Sequence, residues 1–293
     1  MNTTCGLSIT AIEYSLFHIG LEDLKSLTFP HGTFFFGPTS HQTTPQKSEA
    51  MDPSQSWTPL QRQLLDDSVI NKTLEKERCA SYNFEFQDIP NPKRRRLFLG
   101  ALIANDSFET IKASSMEGFN VFHSVAFIES NTTQNHTPRK WRFFGKEATE
   151  NLALLHQLFG PQTQVSVDYY TTSLKKGEVD TLVMEAFQRE GIAHRWKMNG
   201  MMPDDVAILT DVDEFLSRDF LRALQICDVP QLRNGQDCKE PKLIGSTLVF
   251  EGSPECSWKG RRWYHPGMFM FIAVIRFLSL NLSLVRSDIR RVC

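Results

Sequence analysis

The most constraining feature of the sequence is an apolar run that ends directly in acids. Residues Val206–Thr210 have the length and composition of a buried strand, and Asp211, Asp213 and Glu214 follow at once. In a parallel sheet, ligands gather at the carboxyl ends of the strands. Asp211 and Asp213 are two residues apart, so in an extended chain their side chains leave the same face. The pattern predicts two neighbouring carboxylates at the ligand-binding edge of a sheet.

Two neighbouring carboxylates repel each other unless a cation lies between them. Hard divalent ions such as manganese and magnesium prefer these oxygen ligands, and such an ion can stabilise negative charge on a bound phosphate group. We therefore predict a metal site at Asp211 and Asp213. Glu214 should face the other way and make a supporting backbone contact. A solvated acidic turn is the alternative, because an Asp-x-Asp pair alone is common.

Apolar runs alternate with helical patterns before and after these acids. Strands are predicted at Leu97–Ile103, Val121–Ile128, Val206–Thr210 and Lys242–Phe250, and helices at Phe108–Glu117, Glu178–Gly200 and Arg218–Cys227. Ser217 is the expected cap of the last helix. Gly191 costs the long helix about 1 kcal/mol relative to alanine and marks a candidate kink. Strands alternating with helices predict an α/β fold with a Rossmann-type, mostly parallel sheet flanked by helices.

Composition divides the 293 residues into three parts. Residues 1–90 include the stretch 38–57, rich in Ser, Thr, Gln and Pro, which cannot bury enough apolar area to order itself. We predict a poorly ordered leader or linker there, with one short helix within Gln61–Glu77. Residues 91–267 form the α/β domain. Residues 268–293 are an apolar tail to which the composition assigns no role.

Neither terminus carries a clear membrane anchor. The amino terminus lacks a basic region followed by an unbroken apolar stretch. Residues Met268–Val285 are apolar but contain Arg276 and Asn281, which makes them a poor membrane span. The sequence therefore gives no targeting segment.

The charge of the chain argues against a nucleic-acid partner. The formal net charge is −2, so there is no overall basic field. The basic run Arg94–Arg96 has no interleaved aromatic residues and fits the solvated entry to a strand.

The cysteines leave the redox compartment open. Cys227, Cys238 and Cys256 lie close together, and the absence of a Cys-x-x-Cys pair argues against a zinc ribbon. Either two of the three form a disulfide in an oxidising compartment, or all are buried free thiols. Six Asn-x-Ser/Thr sequons would matter only in a luminal or secreted protein.

Three stretches, in order, resemble one known family. They read FIESNTT at 127–133 continuing to PRKWRF at 138–143, FQREGI at 187–192, and PDDV at 203–206 followed by DVDE at 211–214. In this order and spacing they resemble glycosyltransferase family 17, whose members include the transferase that adds the bisecting sugar to N-glycans. The resemblance covers roughly residues 94–267.

The resemblance implies an inverting glycosyltransferase with a GT-A fold. It implies transfer of N-acetylglucosamine from a uridine-diphosphate donor to an N-glycan-type acceptor, with manganese, in a Golgi membrane protein. Two departures stand out: Phe215-Leu216 replace the family's frequent Ile-Pro, and the composition changes abruptly after Gly267. We expect a carboxyl-terminal segment of the family, with acceptor contacts, to be missing. The chain is then either an active transferase or a non-catalytic, truncated nucleotide- or glycan-binding fragment.

Glu129 and Arg189 are further candidates for donor binding, together with Asp211. Glu129 ends a strand and either touches the nucleotide or holds the turn that follows. Arg189 either pairs with a donor phosphate, because a guanidinium matches phosphate oxygens, or with Glu185 four residues earlier.

Three residues near the carboxyl terminus are candidates for metal binding and proton transfer. His265 is either a third metal ligand or a packed loop histidine. An inverting transfer needs a carboxylate to accept the proton of the acceptor hydroxyl, and Glu251 and Glu255 are the candidates, with solvated loop acids as the alternative.

A phosphohydrolase of the haloacid-dehalogenase type is the competing enzyme class. Its strand also ends in Asp-x-Asp, with a nucleophilic aspartate first. In that class the motif opens the domain, whereas here an ordered segment beginning near Lys93 precedes it. Glu214-Phe215 also stands where a small residue and a Thr or Val are usual.

Overall fold

The computed structural model describes residues 26–29, 32–37, 58–65, 70–90, 92–104, 108–133, 136–144, 148–172, 181–232, 242–251, 253–263 and 267–270. The strands in these ranges are β1 (Ser26–Phe29), β2 (Gly32–Phe35), β3 (Leu97–Ile103), β4 (Ser124–Ser130), β5 (Gln164–Thr171), β6 (Val206–Asp211), β7 (Lys242–Ile244), β8 (Thr247–Glu251), β9 (Ser253–Trp263) and β10 (Gly267–Met270). The α-helices are α1 (Pro59–Leu65), α2 (Lys72–Ser81), α3 (Phe108–Gly118), α4 (Ala148–Phe159), α5 (Thr181–Met198) and α6 (Arg218–Ile226).

Eight of these strands form one mixed sheet in the order β1-β2-β5-β4-β3-β6-β10-β7. The four central strands, β5, β4, β3 and β6, are parallel and are connected through α3, α4 and α5. The strands on both flanks are antiparallel. Strands β8 and β9 pair separately. The α/β fold predicted from the sequence is confirmed, and its parallel part is the centre of the sheet.

Helices cover both faces of the central sheet. Leu97, Leu99 and Ala101 of β3 pack in one apolar cluster with residues of α3, α4 and α6. Phe98 belongs to a second cluster with residues of α5, because successive strand residues point to opposite faces. The domain therefore has three layers, with α5 on the face opposite to the other helices.

Two glycines allow α5 to lie very close to the sheet. A Cβ on Gly100 of β3 would stand 2.1 Å from a methyl carbon of Ile192 and 2.6 Å from the Trp196 ring. A Cβ on Gly191 would stand 2.4 Å from the ring of Phe34 in β2. The helix continues unbroken through Gly191. The cost of a glycine inside this helix is thus offset by a contact that a larger residue would block.

A buried ion pair also ties α5 to the sheet. Arg195 donates from Nε to Oδ2 of Asp168 in β5 at 2.8 Å, and both side chains are almost completely buried. Gly37 joins the pair, because its amide donates to Asp168 and its carbonyl accepts from Arg195. Burial raises the pKa of Asp168, and the Arg195 guanidinium opposes that shift.

Elements that precede residue 91 pack onto this domain. Strand β2 extends the sheet by pairing with β5. Helix α2 contacts α6, and a disulfide joins Cys79 of α2 to Cys227 at the end of α6. The predicted boundary between a leader and the α/β domain at residue 90 stays a prediction. The sequence does not indicate the contacts that β2 and α2, which lie before it, make with the domain. Cys227 is therefore not a free thiol, and its partner lies outside the group Cys227, Cys238 and Cys256, 148 residues away in sequence.

The other differences concern single elements. Neither α4 nor β5 was predicted from the sequence, and the strand expected over Lys242–Phe250 is divided into β7 and β8, which belong to different sheets. The first residues of the predicted apolar tail form β10, which pairs with β6. Residues 271–293 lie outside the described ranges, as does Cys238.

The helices in the described part of the chain were also compared with the requirements of a membrane span. None of them is both long enough and apolar enough to cross a bilayer.

Replacing Gly100 with alanine should lower the free energy of unfolding by about 1–3 kcal/mol, the usual cost of overpacking a core. The added methyl would collide with Ile192 and with the rigid ring of Trp196. Denaturant unfolding of the purified chain measures the change. Gly200→Asn is the control, because a Cβ there meets no atom within 4 Å and asparagine tolerates the positive φ better than other residues with a side chain. Equal stability of Gly100→Ala and wild type would contradict the close seating of α5.

Replacing Cys79 with serine should lower the free energy of unfolding by about 2–5 kcal/mol, because the unfolded chain loses a cross-link that closes a long loop. Denaturant unfolding under non-reducing conditions measures the loss. The double variant Cys79→Ser/Cys227→Ser should be no less stable than either single variant, since the first substitution already removes the cross-link. Additive losses from the two substitutions would contradict the pairing.

Candidate functional site

The acidic block lies where the order of the parallel strands reverses. From β3 the chain passes first to β4 on one side and later to β6 on the other. The carboxyl ends of β3 and β6 therefore flank a topological switch point, which is where open α/β sheets bind ligands. Asp211, the last residue of β6, is the register partner of Leu102 in β3. The fold thus places the first acid at the binding edge.

Beyond Asp211 the acids form a turn and not an extended strand. The amide of Glu214 donates to the carbonyl of Asp211 at 3.1 Å, and Val212 is buried. Because the chain turns here, the expectation that Asp211 and Asp213 leave one face of an extended strand is wrong. Asp213 is nevertheless exposed, and Asp211 keeps 47% of its side-chain surface accessible. Both carboxylates can be reached from solvent.

Glu214 holds this turn together. Its Oε2 accepts hydrogen bonds from the amide of Asp211 at 3.0 Å and from the hydroxyl of Thr210 at 3.1 Å. These contacts confirm the predicted backbone role of Glu214. They also fix the position of Asp211 relative to the end of β6.

Arg189 of α5 connects the helix to the acidic block. Its guanidinium lies 2.6 Å from Oδ1 of Asp211 and 2.9 Å from Oε1 of Glu185. Only 12% of the Arg189 side chain is accessible, so these ion pairs are partly shielded from solvent. The alternative contact with Glu185 is present, and a second one with Asp211, which was not predicted, brings Arg189 into the site. A contact with a donor phosphate stays a prediction.

Glu129 is buried under the loop that follows β4. Its Oε1 accepts from the amide of Arg142 at 2.7 Å and its Oε2 from the amide of Phe143 at 3.1 Å. Burial raises the pKa of Glu129, against the opposing effect of these hydrogen bonds and of Arg139. The side chain therefore holds the loop 138–144, as in the turn-holding alternative. Its contact with a nucleotide stays a prediction.

The candidate base and the third metal ligand fall in parts of the chain where the structure does not describe the side chains. Glu251 is the last residue of β8 and Glu255 lies in β9, in the two-stranded sheet, and the orientations of both side chains lie outside the description. His265 also falls outside the described ranges. Their roles stay predictions.

The acids that are described fit a divalent cation through the chemistry of their oxygens. No group of three or more His, Cys, Asp or Glu residues gathers as a metal site within the described ranges. Magnesium-like ions commonly use only one or two protein carboxylates and take further oxygens from substrate phosphates. Asp211 and Asp213 supply such a pair, with a solvent-accessible approach.

A cleft beside the acidic block was not foreseen from the sequence. It lies between the loop after β4 and the first half of α5, and its walls include Leu102, Thr132, Thr133, His136, Met184 and Gln188. Thr132 and Thr133 follow directly on a strand at the carboxyl edge of the sheet, a position that could have signalled a ligand contact. Nothing in the sequence pattern separates His136 from an ordinary loop histidine.

Two titratable side chains are partly buried on α5 next to Arg189. Burial raises the pKa of Glu190 to about 7 and lowers that of His194 to about 4. Their side chains approach to 4.0 Å, between Glu190 Oε1 and His194 Nε2. Ionised Glu190 therefore weakens the fold as pH rises from the unfolded pKa of 4.5 towards 7. Protonated His194 weakens it as pH falls from 6.5 towards 4.

Replacing Glu190 with glutamine should stabilise the chain by up to about 3 kcal/mol at pH 8.5 and by little near pH 4. The neutral amide avoids burying a charge, and at low pH the carboxyl is neutral in both the folded and unfolded states. Denaturant unfolding across this pH range measures the difference. Glu109→Gln, on an exposed position of α3, should change stability by no more than about 0.5 kcal/mol. A Glu190→Gln effect that does not depend on pH would contradict the raised pKa.

Comparison with known proteins gives one family. Residues 59–234, more than half of the chain, match glycosyltransferase family 17. No curated protein matches the chain at a significant level. The matched range contains the three stretches on which the resemblance rests, and it includes α5, Arg189 and the acidic block. The family decides for a glycosyltransferase over the phosphohydrolase alternative, and the chain belongs to glycosyltransferase family 17.

Proposed function

We propose that this glycosyltransferase transfers N-acetylglucosamine with inversion from a uridine-diphosphate donor to an N-glycan-type acceptor. The observation that carries the proposal is the position of Asp211 at the switch point between β3 and β6, with Asp213 exposed in the adjoining turn. Two accessible carboxylates at this edge suit a metal–diphosphate complex.

Asp211 and Asp213 would hold manganese or magnesium against the diphosphate of the donor. The ion, when bound, supplies a Lewis acid for the charge that develops on the leaving diphosphate. Glu214 keeps the turn in shape through its bonds to Thr210 and to the amide of Asp211. Asp211 is thus held in place by the protein before a ligand binds, which reduces the cost of assembling the site.

Arg189 would provide the second positive charge of the site. It already lies between Glu185 and Asp211, so its charge is oriented towards the position proposed for the diphosphate. A cation on Asp211 would weaken the hold of that carboxylate on Arg189, and the planar guanidinium could then pair with phosphate oxygens.

The acceptor hydroxyl oxygen would form the new bond to the anomeric carbon of the sugar as the bond to the diphosphate breaks. An inverting reaction needs a base for the hydroxyl proton, and Glu251 and Glu255 remain the proposed candidates. Their strands, β8 and β9, lie in the two-stranded sheet.

We also propose that the chain works in the Golgi lumen. The disulfide between Cys79 and Cys227 supports an oxidising compartment, because disulfides are rare in the reducing cytosol. Asn71, in the sequon Asn71-Lys72-Thr73, is exposed, which suits a luminal protein.

Calorimetric titration of uridine diphosphate with and without manganese tests the metal site. Manganese should tighten binding to wild type, and Asp213→Ala should weaken binding in the presence of manganese at least about a hundredfold, because even groups that merely orient metal ligands are worth about 10–100-fold. Asp204→Ala is the matched control, since Asp204 is exposed at the opposite end of β6 and should leave binding unchanged.

The result separates the alternatives when it is combined with a transfer assay using UDP-N-acetylglucosamine and an N-glycan. Manganese-dependent binding with transfer supports the proposed enzyme. Binding without transfer indicates the non-catalytic fragment. An affinity for uridine diphosphate that is the same with and without manganese, or that is unchanged in Asp213→Ala, would contradict the proposed metal site.

A further inference from the structure

His136 carries two polar atoms whose burial is unexplained. Both ring nitrogens are buried, and neither has a hydrogen-bond partner among the described residues. A neutral imidazole offers one donor and one acceptor, and leaving such groups buried and unpaired costs free energy. Unpaired groups of this kind in a native structure call for a ligand or another specific cause.

The loop around His136 keeps the ring in this position. The amide of His136 donates to the carbonyl of Thr133, and the amide of Thr137 donates to the Thr133 hydroxyl. Thr132 and Pro138 form an isolated bridge that closes the loop. The backbone of His136 has φ +59°, a conformation that non-glycine residues rarely adopt and that concentrates at functional sites.

His136 lines the cleft described above, called here the His136 cleft, which is partly open to solvent. Leu102 and Met184 give the cleft apolar walls. The hydroxyl of Tyr170 donates to the sulfur of Met184 and helps to fix it. Thr132 and Gln188 add polar groups. Apolar walls with a few polar groups are typical of small-molecule sites.

The His136 cleft adjoins the acidic block. Leu102, in its wall, is the register partner of Asp211. Glu185, also in its wall, is ion-paired with Arg189, which is ion-paired with Asp211. A ligand whose diphosphate is held at Asp211 could therefore extend one end into this cleft.

We propose that the His136 cleft binds the nucleoside part of the donor nucleotide, with the His136 ring hydrogen-bonded to the polar edge of the base. A pyrimidine base has flat faces for Leu102 and Met184 and a polar edge that offers both donors and acceptors. Glu185 suits a ribose hydroxyl, since acidic residues commonly accept hydrogen bonds from ribose. The inference rests on the proposed function. It gives a binding site to the nucleoside of the donor, which lies beyond the diphosphate held at Asp211 and Asp213.

Two calorimetric titrations of the full chain test the nucleoside and the diphosphate parts of the donor separately. Uridine monophosphate without metal reports on the cleft, and pyrophosphate with manganese reports on the acidic block. His136→Asn should weaken binding of the monophosphate about tenfold or more, the value of one lost hydrogen bond, and leave manganese-pyrophosphate binding within about twofold. Asparagine tolerates the positive φ, so the loop should keep its shape. Asp213→Ala should show the reverse pattern.

Two controls keep the result interpretable. His156→Asn makes the same chemical change on α4, which does not line the cleft, and should alter neither binding. Retained manganese-pyrophosphate binding by His136→Asn shows that the variant is folded. A wild type that binds manganese-pyrophosphate but not uridine monophosphate, or a His136→Asn variant that binds the monophosphate as tightly as wild type, overturns the cleft proposal alone. A wild type that binds neither probe overturns the proposed function itself.

Discussion

The close packing of α5 on the central sheet is the contact on which the rest of the site depends. Gly100 of β3 has no side chain, so Ile192 and Trp196 of α5 pack directly against the strand backbone. In the same way, the ring of Phe34 in β2 packs directly against the helix backbone at Gly191. The indole of Trp196 also donates to the carbonyl of Leu99 at 3.1 Å, which fixes the helix along the strand. An interior packed this tightly leaves little space for the helix to move, so the position of α5 is well defined.

That position determines the electrostatics of the binding edge. Arg189 and Glu185 lie on the part of α5 that reaches the carboxyl end of β6, where Arg189 meets Asp211. The same part of the helix supplies one wall of the His136 cleft. A single helix therefore contributes both to the acidic block and to the His136 cleft, while Glu214 stabilises the turn after β6. Without a ligand, Arg189 offsets part of the negative charge at this edge, because its cation lies between the carboxylates of Glu185 and Asp211.

The opposite end of α5 connects the domain to the segment before it. Arg195 is buried with Asp168, and a buried ion pair of this kind is costly to break because either partner alone would be an uncompensated charge. Gly37 completes the hydrogen bonding, so the chain just after β2 is held by the same pair. Together with the disulfide to Cys79, this contact ties Gly37 and helix α2, which precede residue 91, to the domain.

The sequence by itself determined several of the local elements and the family. Strand β3 has the bounds that its apolar run predicted, and Ser217 caps α6 as expected, because apolar runs, periodicity and caps are local properties of the chain. The acidic block at the end of β6 was also evident, and with it the transferase family. Only the tertiary structure decided the partners of particular side chains. A buried aspartate such as Asp168 is unfavourable in a strand unless a partner such as Arg195 faces it, and the sequence around Asp168 does not identify that partner. Likewise, the sequence around Cys227 does not indicate that it pairs with Cys79. Glu129 turned inwards to hold a loop, and His136 became a cleft residue, since contacts between segments far apart in sequence leave no period or spacing to detect.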